Sequence, residues 1–466
     1  MLSVEGLPIL GFFRWQEMSL YRGGTYIEGE QNMRYGLEDK MPFSECVMYG
    51  IQHLIYFLAG AAIMPVIVAA YLGLNGQETT TMLQRTFFLC GVMSILQTRL
   101  GHRYPIVDGP AGLWMGILIT LTTTTTAFGG NLAQLRTDLE TGMIIAGIFI
   151  IFIGVTGLIS WVSKVFTPLV NGVFLILMVL QLSGSMMKGM TGTTRGGESI
   201  SLPDVFVFFL TAGIILMINI KGKGFLKSIA TLVGVAVGWC AAFAVGIGKP
   251  YAASGSGLFS LPTVFAWGAP TFNGGVVVTC VIGCLMLFAN VLASIYGMAD
   301  ITQDTVTKKQ LNKAVGIYGL SAVATGSFPT VGYVPFASSM GVIEMTGVAS
   351  RKPFYFGSIC MIVLGMIAPV GAFFASIPPA VGYAAMMIVF SFIFGQGLRE
   401  FQRIEFTPRE NLIVGISMLV GMGIMFLPSG LFAVLPGVAK YLFSNGLIDG
   451  ILVSIVLEQI VLRKVE

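Results

Sequence analysis

The chain has 466 residues, 55% of them hydrophobic and only 10% charged, with a mean hydropathy of +0.85. A soluble domain carries about a quarter of its residues as charge, so this composition excludes one and fixes an integral membrane protein. The net charge of +4 is spread thinly between apolar runs and points to no nucleic-acid partner.

In chain order, residues 1–45 are mixed in character, carry Arg14, Arg22, Arg34 and Lys40, and show no cleavable signal pattern. Apolar windows of about 18–25 residues then follow at 47–72, 82–100, 105–123, 143–162, 166–186, 205–220 and 226–247. They continue at 275–301, 311–328, 333–347, 354–374, 379–395, 412–426 and 446–462. That is about fourteen spans in an all-α membrane protein. With the N-terminus inside, Arg99, Arg103, Lys308, Lys309, Arg351 and Arg409 fall in inner loops, whereas outer loops keep only Arg136, Lys188, Arg195, Lys249 and Lys440. The positive-inside rule therefore predicts an even number of spans and both termini in the cytoplasm. The six cysteines lie mostly inside apolar windows and read as small buried hydrophobes; no ligand set for a metal or other cofactor stands out.

Two windows are short and broken. "YPIVDGPAGLWMG" (104–116) and "FPTVGYVPFASSMG" (328–341) each run from an aromatic–Pro pair into a stretch of small residues, close to half the chain apart. "FTPLVNG" and "IPPAVG" recur two spans later in each half. A seven-span unit repeated after an odd number of crossings must be inverted, which predicts a seven-plus-seven inverted repeat with spans 3 and 10 broken. Pro110 and Pro335 remove helical hydrogen bonds and push Gly109 and Val334 toward extended backbone. Such backbone survives inside a bilayer only where protein or a polar cavity satisfies it. The spacing predicts that 109–112 and 336–339 leave helical form and pair, with two half-helix N-termini facing one cavity. That arrangement suits a small polar molecule carried by a secondary transporter.

"GIQHLIYFLAGAAIMP" (50–65), "QTRLGHRYPIVDGPAG" (97–112) and "SSMGVIEMTG" (338–347) resemble the nucleobase–ascorbate transporters, or nucleobase/cation symporter-2 family, from about Tyr49 onward. The resemblance implies core spans 1–4 (46–162) and 8–11 (273–376), and gate spans 5–7 (163–272) and 12–14 (377–466), after the N-terminal segment 1–45. It also implies a plasma- or inner-membrane homodimer that carries uracil, xanthine or a related base, with protons or sodium as coupling ion. Gly341 and Thr346 match the tenth-span signature of that family, but Ser338 and Ser339 stand where it has Gln/Glu and Asn. Ser294 stands at its eighth-span glutamate and Met298 at a frequent histidine, while Gly112 falls at a site aromatic of uracil carriers.

A base needs a stacking face and groups for its N–H and C=O edges. Trp114 and Phe336 are the stacking candidates, and Gly112 is counted in the site by its place at the family's aromatic; Ser294, Ser338, Ser339 and the Ala337 backbone are the hydrogen-bonding ones. Ion coupling calls for an acid inside the membrane. Asp108, within the first break, is the leading candidate, with Glu344 and Asp300 behind it; Asp300 and Asp304 also read as a solvated cluster with Lys308 and Lys309. An anion carrier of the sulfate/bicarbonate type and a non-transporting membrane protein are the alternative readings.

Overall fold

The computed structural model describes residues 33–159, 164–195, 199–223, 225–248, 257–435 and 437–463. The first half holds α1 (Phe43–Ala61), α2 (Ile63–Tyr71), α3 (Gly76–Leu100), β1 (Asp108–Pro110), α4 (Gly112–Ala127) and α5 (Leu132–Thr156). It continues with α6 (Pro168–Thr191), α7 (Leu202–Lys221) and α8 (Ala230–Ala244). The second half runs α9 (Gly274–Thr302), α10 (Lys308–Ser327), β2 (Tyr333–Pro335), α11 (Ser339–Thr346), α12 (Arg351–Gly365) and α13 (Ala368–Ala375). It closes with α14 (Pro379–Phe401), α15 (Pro408–Phe426), α16 (Gly437–Phe443) and α17 (Gly446–Val456).

Helix starts follow local signals. Asn75 caps α3 in a box closed by Glu78, Thr167 precedes Pro168 at α6, and Asn273 and Thr307 cap α9 and α10. Helix α5 ends on Gly157 in the left-handed conformation (φ 74°), the usual way to satisfy the last carbonyls.

Among the described residues, seven helical stretches are long and apolar enough to cross a bilayer: α1 with α2, α5, α6, α7, α9, α14 and α15. The other apolar windows take different forms for physical reasons. Helices α3 and α10 are long but carry buried polar groups, Gln84, Arg85 and Gln97 on α3 and Ser321 and Thr325 on α10. The broken windows become a strand plus a shorter helix, and 354–374 divides between α12 and α13.

Partners are exchanged between the halves. Helix α3 packs on α12 as α10 packs on α5; α1 lies against α12 as α9 lies against α5; α7 pairs with α8 as α15 pairs with α17. This is the contact pattern of one unit present twice, and the antiparallel pairing of β1 with β2 sets the copies in opposite directions where they meet. Small residues permit the tightest crossings. A Cβ on Gly147 of α5 would lie 2.5 Å from the Gly319 carbonyl oxygen of α10, and one on Gly91 of α3 would lie 2.4 Å from the Ser358 oxygen of α12. Before α1, the segment around Tyr35 is strapped to the end of α11: Tyr35 N–H donates to Gly347 O (3.1 Å), and Ala349 N–H to Tyr35 O (2.8 Å). An ion pair between Arg351 and Glu38 adds to the strap.

Candidate functional site

The two breaks meet. Asp108 lies opposite Pro335, Gly109 opposite Val334 and Pro110 opposite Tyr333 in a two-stranded antiparallel ladder. Its ends are extended by Phe336 N–H donating to Val107 O (2.7 Å) and Ala111 N–H donating to Gly332 O (2.9 Å). Gly109 and Val334 are extended, as the prolines after them require. The expected limits need correction: the extended backbone covers 108–110 and 333–335, and Gly112 and Ser339 already belong to α4 and α11. Proline only forbids helix before itself, so helical geometry resumes within a few residues after it.

Several outward backbone groups along this ladder are met by side chains, which suits a buried strand edge. Ser94 Oγ of α3 accepts the Asp108 N–H (3.0 Å), and the Cys90 thiol donates to Asp108 O (2.9 Å). Ser339 Oγ accepts the Val107 N–H (3.1 Å), and Ser294 of α9 donates to Pro335 O (3.0 Å). The Tyr333 hydroxyl donates to Thr86 O (2.5 Å). Two serines singled out in the sequence, Ser294 and Ser339, are therefore buried struts of the ladder.

The remaining candidates separate by position. Ser338 is exposed in the turn before α11 and shares a 2.5 Å hydrogen bond with the Tyr56 hydroxyl of α1. Ala337 precedes it, its carbonyl taken by Met340 N–H (3.1 Å). The half-buried Phe336 ring lies against two glycines whose lack of a side chain makes room for it: a Cβ on Gly60 would come within 2.5 Å of it, and one on Gly109 within 2.6 Å. Gly112 leaves space that Phe390 of α14 enters, the ring tip 3.0 Å from where a Cβ would sit. Trp114 is 1% exposed and wedged against Gly332, whose Cβ would stand 2.3 Å from the indole nitrogen; it sits in the apolar core. Neither α4 nor α11 has a side-chain cap, but the first amides of α11 donate within the turn (Ser339 N–H to Phe336 O, 3.0 Å; Gly341 N–H to Ser338 O, 3.1 Å), so it is the first turn of α4 that presents amides without an acceptor.

Asp108 is fully buried, and neither carboxylate oxygen has a hydrogen-bond partner. Glu344 is exposed further along α11, and Asp300 is exposed in the last turn of α9; no hydrogen bond of the ladder reaches either. Asp304, expected to cluster with Lys308 and Lys309, accepts the Tyr104 hydroxyl (3.0 Å) instead. Tyr56, Gly60 and Ser94 went unseen in the sequence, and Cys90 was read only as a small buried hydrophobe, because they are ordinary members of apolar windows until the fold supplies their partners. A void of about 110 Å³ lies elsewhere, between α3 and residues 260–263. The polar turn at 336–338, with its aromatic ring and hydroxyl pair beside the uncapped start of α4, is where the chemistry converges.

Residues 44–430 match the sequence model of the Permease family. YwdJ of Bacillus subtilis (strain 168) is 32% identical over 423 residues, 89% of this chain and 95% of that protein. The xanthine permease of the same organism is 26% identical over 420 residues, 89% of this chain and 93% of that protein. Among solved structures, the transmembrane domain of a cyanobacterium bicarbonate transporter, BicA, superposes with a TM-score of 0.58 at 16% identity, covering 85% of this chain and 99% of that one. At that identity the likeness speaks for the fold alone.

Proposed function

This chain belongs to the permease family of nucleobase/cation symporter-2 proteins, and from that membership we propose that it carries a nucleobase, a purine such as xanthine or the pyrimidine uracil, across the membrane by alternating access. The observation that carries the reading is the crossing of β1 and β2 beside the uncapped start of α4 and the polar turn at 336–338. It gives a flat, polar molecule donors and acceptors inside a bilayer without a charged side chain. The base stacks on Phe336 and pairs along its edge with Ser338, Tyr56 and the Ala337 N–H. Ser294 and Ser339 act indirectly by fixing the ladder, and Trp114 by wedging α4 against the approach to β2. Residues 46–162 and 273–376 move as the core against a gate of 163–272 and 377–466. The carrier works as a homodimer in the plasma or inner membrane with both termini cytoplasmic, and a proton or sodium ion drives it.

An anion carrier shares this fold, as the bicarbonate transporter likeness shows. Against it, the sequence has neither Lys nor Arg from 104 to 135 or from 314 to 350, the stretches that hold both strands and their half-helices. Purified protein in proteoliposomes is expected to take up labelled xanthine or uracil saturably and to ignore sulfate and bicarbonate. Saturable uptake of an anion instead would establish the other reading, and binding of the base without uptake would mark a non-transporting member.

A further inference from the structure

We infer that Asp108 is the proton-carrying acid of this transporter, taking up one proton from water on one side of the membrane and releasing it on the other as the base is carried. The inference rests on the carrier reading above and names its coupling group. Asp108 is held with no freedom of backbone: Ser94 accepts its N–H, Cys90 binds its carbonyl, and its ladder neighbour is Pro335. Its carboxyl is completely buried, with neither oxygen partnered.

The groups around it explain why. The carboxyl bears electrostatically on Cys90 of α3, Tyr333 of β2 and Tyr318 of α10. Each of these spends its proton elsewhere: Cys90 on the Asp108 carbonyl, Tyr333 on Thr86 O, and Tyr318 on Cys284 O (3.0 Å). On α1, which also packs on β1, the Tyr56 hydroxyl is engaged with Ser338 and the His53 ring lies edge-on to Phe354. Arg85 of α3 turns its Nε to Pro329 O (3.0 Å). No cation therefore pairs with Asp108 among the described residues. A carboxylate without donor or counter-ion in hydrocarbon-like surroundings is costly, so this closed arrangement holds the neutral acid.

The ladder ties this acid to the base. Asp108 faces Pro335 in the strand that leads directly into Phe336 and Ser338. Any movement that opens the turn at 336–338 therefore pulls on the strand partnered with Asp108. Opening lets water reach the carboxyl and take its proton; closing around the base requires the proton back.

The test is Asp108→Asn in sodium-free proteoliposomes, with Asp108→Glu as the conservative variant. In wild type, an imposed gradient of one pH unit drives up to about tenfold accumulation of labelled xanthine or uracil for one proton carried. In Asp108→Asn, counterflow exchange of the base persists while accumulation falls to none and the exchange rate loses its pH dependence; Asp108→Glu restores part of both. Unchanged pH-driven accumulation in Asp108→Asn overturns the inference, as does loss of counterflow together with accumulation, which assigns Asp108 to binding or packing. Should Asp108→Asn not reach the membrane, wild type is treated with a hydrophobic carbodiimide, which reacts with protonated buried acids. Labelling of Asp108 that falls as pH rises supports the inference, and a proton-driven carrier left unlabelled there refutes it. A wild-type protein with neither uptake nor counterflow defeats the carrier reading itself.

Discussion

The Tyr56 hydroxyl lies 2.5 Å from Ser338 Oγ, joining positions 282 residues apart in the chain. The bond fastens α1 to the turn that precedes α11, and it places the one exposed hydroxyl of that turn beside a phenol.

Tyr56→Phe keeps the ring and removes this bond. A hydrogen bond of this kind contributes about 1 kcal/mol net, so affinity for the preferred base is expected to fall by about fivefold to tenfold with little change in the thermal midpoint. Equilibrium binding of labelled base to purified protein reads the first, and a melting curve the second. Unaltered affinity would remove Tyr56 from the site.

The slot around Phe336 predicts a rescue. Gly109→Ala places a methyl group within 2.6 Å of the ring, and overpacking of this degree costs about 1–3 kcal/mol. Uptake and melting temperature are both expected to drop. Adding Phe336→Ala should recover the melting temperature without restoring affinity, because the stacking face is gone. A double variant no more stable than the single one would show that the two residues do not share this space.

Ser294→Ala strips Pro335 O of its donor. An unsatisfied buried carbonyl costs about 1–3 kcal/mol, and the expected result is lower thermal stability with weaker binding. Ser294→Thr should retain both. If alanine leaves stability and affinity unchanged, the ladder does not depend on this strut.

Trp114 separates packing from recognition. The ring is buried against Gly332, and truncating a buried Trp costs about 3–5 kcal/mol in soluble cores. Trp114→Ala should lower the melting temperature strongly, whereas Trp114→Phe should bind the base with nearly normal affinity. Weakened binding in a stable Trp114→Phe protein would return the indole to the site as a stacking surface.

Much of the architecture was legible because its causes are local. Pro110 and Pro335 announce breaks wherever they stand in an apolar window, and the recurrence of the aromatic–Pro pair at Tyr104 and Phe328 announces the repeat. Span limits were less legible, because α3 owes its place to partners that accept Gln84, Arg85 and Gln97, and hydropathy does not record partners. In the site, serine type was easy to see but not direction. Ser294, Ser338 and Ser339 look alike in the sequence, yet two hold backbone and one faces outward with Tyr56. Cys90 was read as a small hydrophobe; its thiol proves to satisfy a carbonyl. The void at Gly112 and its filling by Phe390 join two segments that no short-range pattern connects.

The ladder between β1 and β2 also bears on how the chain is made. Gly109 and Val334 satisfy each other's main chain, yet they are synthesised far apart in time, and the bilayer interior supplies no water to stand in for the absent mate. A ribosome that stalls after α8 leaves an amino-terminal fragment whose third crossing has nowhere to settle. Quality-control proteases would meet that fragment as an orphan, whereas co-expressed complementary fragments, each supplying one strand, could heal into a working pair.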